Sequence, residues 1–324
     1  ARRQRQMCIR DRYLSIDADL QKATYLALQN EIAAIVYSNI KSGEIPINDV
    51  YTALIGNSVI NTEHFSKSKA SDTEKSVLSV FKSRQKTTLG KIKQELTSSP
   101  EALNTMSDEV LDEFTYIISM LKDDQVLLKN EIDTSDSVYQ KWKDQKISPK
   151  EYLNYCITQH WIDISQLNVD EKYADSTEVY DALCKYILKN IKTDTEFSKI
   201  IYQYMITRGE ISPRQLCLIL FDQGVLDYDD ATVNKLKNGS LSPRDFLMKK
   251  IYNIEITPAQ LALEPCIGSC VVTDEKTGEI RAMVSYPGYD SNKLANGVDS
   301  EYFASLQHCL LYTSDAADER SSVD

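Results

Sequence analysis

The apolar and polar positions fall into three stretches of different rhythm. The first opens on Tyr13-Leu-Ser-Ile16, which predicts a short strand, and continues as ADLQKATYLALQNEIAAIVYSNI. Apolar residues recur there at helical spacing through Ile40, so a helix is predicted, with Asp17 or Asp19 placed to cap its first amides. From Ser42 to about Leu263 nearly everything reads helical. The clearest periodic runs cover 50–60, 108–128, 149–158, 178–191, 196–207 and 213–221. Residues 66–93 are rich in Ser, Lys and Thr and read as an exposed, solvated helix. At Pro265 the rhythm changes. The run 268–274 is β-branched, Glu275-Lys-Thr-Gly278 is a turn, and 279–285 returns as a second strand before Tyr286-Pro-Gly-Tyr-Asp290 breaks it.

One local pattern recurs: an apolar residue, Ser or Thr, then Pro, then an amphipathic run. It appears at Ile147-Ser148-Pro149, Ile211-Ser212-Pro213, Leu241-Ser242-Pro243 and Ile256-Thr257-Pro258. A hydroxyl that caps free amides, followed by Pro at the first helical position, is a helix start. The spacing of the four copies is irregular, which excludes a solenoid. The expected fold class is therefore mostly α with a small β part, an α+β chain ending in an antiparallel hairpin.

The two ends change the domain picture. Written as codons, residues 2–12 have a reverse complement that, read one base on, encodes CLLYTSDAAD, the sequence at 309–318. Ends that encode each other's complementary strand are expected to be translated sequencing adapter. Segments 1–12 and 309–324 are therefore set aside as artefact. The natural chain is then roughly 13–308, an internal piece of something longer.

Composition narrows the function classes. The formal net charge is −11. Without the two ends, 31 basic and 43 acidic residues remain, a balance of −12. With no basic stripe, nucleic acid is not expected as a partner. Cys156, Cys184, Cys217, Cys266 and Cys270 form no Cys-x-x-Cys pair, which argues against a zinc site. Cys266 and Cys270 share one extended run, on the order of 13 Å apart, too far to bridge. No run approaches the ~20 apolar residues of a membrane span. His64 and His160 are isolated, and His160-Trp161 reads as a partly buried helix surface. Asp227-Tyr-Asp-Asp230 lacks the pattern of a calcium loop. The tyrosines at 139, 152, 155, 180, 186, 202 and 204 read as packing at helix contacts.

The segment GSCVVTDEKTGEIRAMVSYPGYDSNKLAN resembles the opening of the transpeptidase domain of class B penicillin-binding proteins. The matching positions are Gly268, Asp274, Thr277, Gly278, Glu279, Ala282, Met283, Ser285, Tyr286, Pro287, Tyr289 and Asp290. Upstream, YLSIDADLQKATYLAL is similar to the family's preceding strand and helix, matching at Ile16, Asp17, Leu20 and Gln21. Relatives place these blocks a few tens of residues apart. Here more than two hundred intervene, which resembles the large helical insertion of some clostridial elongation-type members. The expected division is 13–41 and 264–308 for the transpeptidase domain and 42–263 for the insertion.

The resemblance implies a parent enzyme anchored at the outer face of the bacterial cytoplasmic membrane. It would cross-link peptidoglycan stem peptides through a serine acyl-enzyme, serve cell-wall growth and cell shape, and be trapped by penicillin and other β-lactams. No cofactor or metal is expected. The family's Ser-x-x-Lys, Ser-x-Asn and Lys-Thr-Gly boxes follow Tyr-Pro-x-Tyr-Asp, so no catalytic residue is expected in this chain and the piece itself should be inactive. Lys276-Thr277-Gly278 spells the third box but sits in the hairpin turn. Ser66-x-x-Lys69, Ser79-x-x-Lys82, Ser83-x-x-Lys86 and Ser119-x-x-Lys122 spell the first, yet read as surface side chains of a Ser- and Lys-rich chain. Two other readings stand beside this one. The helical block could be a non-catalytic module that docks elongation proteins or braces its own chain, or the whole could be an unrelated helical protein with a chance hairpin.

Overall fold

The computed structural model describes residues 14–98, 101–167, 169 and 175–288. In chain order its helices are α1 (Ala18–Ser42), α2 (Ile47–Gly56), α3 (Asp72–Thr97), α4 (Asp108–Asp123), α5 (Ser137–Lys143) and α6 (Pro149–Thr158). They continue as α7 (Ser176–Ile191), α8 (Thr195–Thr207), α9 (Pro213–Asp222), α10 (Asp230–Lys237), α11 (Pro243–Tyr252) and α12 (Pro258–Leu261). Strands β1 (Gly268–Thr273) and β2 (Ile280–Tyr286) form an antiparallel pair. The described chain is thus mostly helical with a small two-stranded sheet. It divides into two compact units, one Ile40–Lys250 and the other the residues flanking it, 14–39 with 251–288 among those described.

Helix starts in the unit Ile40–Lys250 follow the capping chemistry of the sequence. Ser148 Oγ accepts the Glu151 amide at 3.1 Å. Ser212 and Gln215 form a reciprocal capping box at the start of α9. Asp175, Asp194 and Asp229 cap α7, α8 and α10 with their carboxylates. Asp229 belongs to the acidic run 227–230, which is thereby a helix start. Each cap satisfies amides that a helix cannot satisfy itself, worth about 1 kcal/mol apiece.

The core of this unit gathers on α3 and α8. Helix α8 packs on α2, α3 and α4, while α3 also meets α6, α7 and α9. Phe81 of α3 stacks on Tyr202 of α8 with ring centroids 4.2 Å apart, and Phe65 meets the same tyrosine edge-on at 6.0 Å. This corrects the expectation for 66–93. The segment is helical from Asp72, but Val77, Phe81, Thr88 and Ile92 turn one face of it into core. Polar residues on its other faces dilute the apolar stripe in the sequence.

Two further expectations are corrected. The run 108–128 does not continue as one helix. Helix α4 ends at Asp123, Gln125 takes a left-handed φ of 60°, and Leu127 forms an isolated antiparallel bridge to Ile162. His160 is not on a helix surface: it follows the end of α6 at φ 59°, exposed, while its neighbour Trp161 is buried.

The flanking unit is built from α1, α12 and the hairpin. Asp17 is its helix cap, since Oδ1 accepts the amides of Asp19 and Leu20, both at 3.0 Å. In the hairpin, Ala282, Val284 and Tyr286 are buried while Met283 and Ser285 are exposed, the alternation of a strand with one face on a core. The pairing slips by one residue between Val272 and Thr273, a bulge that leaves Arg281 outside the register. Gly278 closes the turn at φ 73°, a conformation that glycine adopts without a Cβ penalty. Residues 14–17 lie beside β2 but are not a strand, which corrects the expectation for 14–16; Tyr13 lies outside the described residues. Among the described residues the contact rests on one backbone bond, Asp17 amide to Arg281 carbonyl at 2.9 Å, too few for a ladder.

Candidate functional site

The residues that carry the resemblance assemble around the hairpin. Gln21 Nε2 donates to the Met283 carbonyl at 2.6 Å, and Gln21 Oε1 accepts the Met283 amide at 2.7 Å. Ser15 Oγ donates to the Ile280 carbonyl at 2.7 Å. With the Asp17–Arg281 bond, the upstream segment takes up the edge of β2 that faces away from β1. Residues 262 apart in sequence thereby share one hydrogen-bonded edge.

Apolar packing seats the same elements. An atom in the Cβ position of Gly268 would lie 3.0 Å from Ile32 Cδ1 and 3.2 Å from Leu28 Cδ1, so glycine lets β1 approach α1. At Gly288 the same atom would lie 3.2 Å from the Tyr25 ring. Tyr286 sits 5.9 Å from the Tyr25 ring and accepts the Ala259 amide on its hydroxyl at 3.4 Å. In the turn, Asp274 Oδ1 accepts the amides of Lys276 (2.8 Å) and Thr277 (3.1 Å), and these bonds hold its carboxyl below the usual range. Lys276-Thr277-Gly278 therefore serves as turn backbone. Glu279 and Pro287 are exposed beside the turn and the end of β2. Tyr289 and Asp290 lie outside the described residues.

Among the described residues this constellation positions a sheet. Ser66, Ser79, Ser83 and Ser119 of the look-alike Ser-x-x-Lys matches are all exposed. Among the described residues, no group of three or more His, Cys, Asp or Glu could hold a metal ion. None of the five described cysteines is in a disulfide. No described helix is long and apolar enough to cross a membrane.

Within Ile40–Lys250 two polar nodes arise that sequence reasoning missed. Glu109, 3 % exposed, accepts Arg84 Nη2 at 2.7 and 2.9 Å and Arg208 Nη2 at 2.5 Å. Arg84 also lies 3.5 Å from Glu210. Glu113, one turn along α4 and equally buried, is pushed up to about 8 by burial and by the Glu109 charge. The second node corrects the reading of His64 as isolated. His64 Nδ1 lies 2.7 Å from Glu74 Oε1. Glu74 is fully buried and also takes Gln223 Nε2 at 2.8 Å and the Ser71 amide at 2.7 Å. Burial alone would raise its carboxyl, but these bonds outweigh it and hold the group below the usual range. Six of the seven tyrosines read as helix-contact packing divide between two roles. Tyr152, Tyr180 and Tyr202 are core, whereas Tyr155, Tyr186 and Tyr204 donate to Asp136, Asp124 and Asp112.

No protein-family model, curated protein or solved structure matches this chain.

Proposed function

We propose that residues 13–41 and 264–308 are the opening part of a penicillin-binding transpeptidase domain, and that a helical insertion separates them. The observation that carries this reading is the pair of hydrogen bonds between the Gln21 side chain and the Met283 backbone. The two blocks that resemble the family come from distant parts of the chain, yet they form one hydrogen-bonded edge. Val271 (55 %) and Met283 (53 %), cross-strand partners on one side of the hairpin, also stay exposed. That is a face suited to further sheet and helix. On this reading the unit is scaffold. The serine nucleophile, its lysine base and the carboxylate-binding strand come from residues further along the parent chain. The parent acts outside the cytoplasmic membrane on peptidoglycan stem peptides and is acylated by β-lactams.

Reading the gene past the codon for His308 in a clean assembly tests it. The expected result is a Ser-x-x-Lys within several tens of codons and labelling of the longer product by a fluorescent penicillin. Absence of that motif, or labelling of residues 13–308 alone, would overturn the reading.

A second reading rests on a separate observation. Ile40–Lys250 is a compact unit with its own buried aromatic core. Such a block suits a non-catalytic docking or bracing role in the cell-wall elongation machinery. Co-purification of known elongation proteins with the full chain, lost when residues 40–250 are excised, is the expected result; unchanged co-purification would exclude it.

A further inference from the structure

The triplet Ser-Pro-Arg occurs twice, at Ser212-Pro213-Arg214 and Ser242-Pro243-Arg244, and each copy starts a ten-residue helix. The fold sets the two starts side by side. Together with Tyr51 of α2 they line an open cavity of about 310 Å³.

Each start contributes positive charge. A helix begins with amides that have no intrahelical acceptor and carries roughly half a positive charge there. Proline takes the first position in both, and the next amides, those of Arg214 and Arg244, donate to no backbone acceptor outside their helices among the described residues. Two guanidiniums add to this. Arg244 Nη2 donates to the Ile40 carbonyl at 3.3 Å, which anchors the side chain and leaves its remaining N–H groups free to donate. Arg214 lies over Gly239, whose φ of 80° and missing side chain make room for it: a Cβ there would meet Nη2 at 3.2 Å.

Tyr51 is an independent pointer to a ligand. It is only 4 % exposed and lines the cavity, yet its hydroxyl makes no hydrogen bond among the described residues. The residue is buried while its hydroxyl oxygen keeps some exposure, so the oxygen can meet a ligand that enters the cavity.

We propose that this cavity binds a phosphate monoester. The phosphate sits between the two guanidiniums and helix starts, and its organic substituent lies against the Tyr51 ring and the two prolines. Charge selects the class. Two guanidiniums and two helix ends supply about three positive charges, and neighbouring Asp245 removes one, which leaves about two for a phosphate of −1.5 to −2. A carboxylate brings only one. Burial above all pushes the Tyr51 phenol up to about 12, so it keeps its proton and can donate to a phosphate oxygen throughout the neutral range.

Isothermal titration calorimetry on the full chain at pH 7.5 tests the site with phenyl phosphate, inorganic phosphate and benzoate. The expected result is saturable one-to-one binding of phenyl phosphate. Inorganic phosphate, which leaves the apolar walls uncovered, and benzoate, with its single charge, should each bind at least tenfold more weakly. Arg214→Gln is the primary variant because Arg214 is exposed and bonds no described backbone group, and it should weaken phenyl phosphate at least tenfold. Tyr51→Phe should weaken it severalfold. Three results would each overturn the proposal: no saturable heat with phenyl phosphate, equal or tighter binding of benzoate or inorganic phosphate, and unchanged affinity in Arg214→Gln with its circular dichroism unaltered.

Discussion

Gln21 engages both halves of the Met283 peptide unit, donating to its carbonyl at 2.6 Å and accepting its amide at 2.7 Å. A side-chain amide offers one donor and one acceptor, the same pair that a neighbouring strand would present. Gln21 thus completes the outer edge of β2 where residues 14–17 supply too few bonds. Gln21→Ala leaves both groups to water, at a cost of about 1–2 kcal/mol because the site is half-open. Gln21→Glu keeps the acceptor and sets a carboxylate against the carbonyl. Hydrogen exchange at the Met283 amide separates the two. Protection is expected to be lost in Gln21→Ala and largely retained in Gln21→Glu, and equal protection in Gln21→Ala and the parent would refute the role.

Glu109 is the shared anion of two arginines, and the two are unequal. Arg84 is mostly buried, with a side chain 15 % exposed, and reaches both carboxylate oxygens; Arg208 is 40 % exposed and reaches one. A charge left unpaired in the interior is expensive, whereas an exposed one recovers its water. Urea unfolding should show a loss of roughly 3 kcal/mol for Arg84→Ala. Arg208→Ala should lose less than about 1 kcal/mol. The order of the two midpoints is the check.

What the sequence showed and what it hid follow one physical line. Helices α6, α8 and α9 were legible almost to the residue, because Ser148 and Ser212 cap amides only three positions away and the run 196–207 carries its own apolar period. The hairpin was legible for the same reason, through Gly278 and the alternation of β2. Residues whose partners are distant gave no such signal. Arg84 and Glu109 are 25 apart, Arg208 and Glu109 are 99 apart, and Gln223 and Glu74 are 149 apart. The Ser-Pro helix starts at 212 and 242 were visible, but that the two meet around Tyr51 was not. The end of α4 was hidden by apolar residues that continue past it, Val126 and Leu127, which are buried in a loop and a bridge instead.

Glu113 gives the helical unit a pH-dependent stability. Burial first, and the Glu109 charge second, push it up to about 8 from an ordinary 4.5. Below the ordinary value the carboxyl is neutral whether folded or unfolded and costs nothing. Between the two values the unfolded chain ionises while the folded one keeps its proton, so stability falls as pH rises; above about 8 the full cost is present. The loss is on the order of a few kcal/mol. Urea midpoints from pH 5 to pH 9 should decline in the parent and decline less in Glu113→Gln. Parallel curves for the two proteins would show that Glu113 is not the group responsible.

Gly268 is where β1 comes closest to α1, and a side chain there tests how firmly the hairpin is seated. A Cβ would stand 3.0 Å from Ile32 Cδ1 and 3.2 Å from Leu28 Cδ1. Ile32 is 4 % exposed and has little room to yield, while Leu28 is half-buried and can turn aside. Gly268→Ala should therefore cost about 1 kcal/mol, and Gly268→Val, with two further carbons in the same gap, about 2–3 kcal/mol. Val272 and Ala282 pair farther along the hairpin, so their amides report whether the whole sheet loosens or only its first pair. Graded loss of exchange protection at both, larger for valine than for alanine, is the expected outcome. Reducing the opposing side chain in Ile32→Ala should restore protection to Gly268→Val in part, because it removes the closest collision. If Ile32→Ala deepens the loss instead, the close approach of β1 to α1 is not what glycine serves at this position.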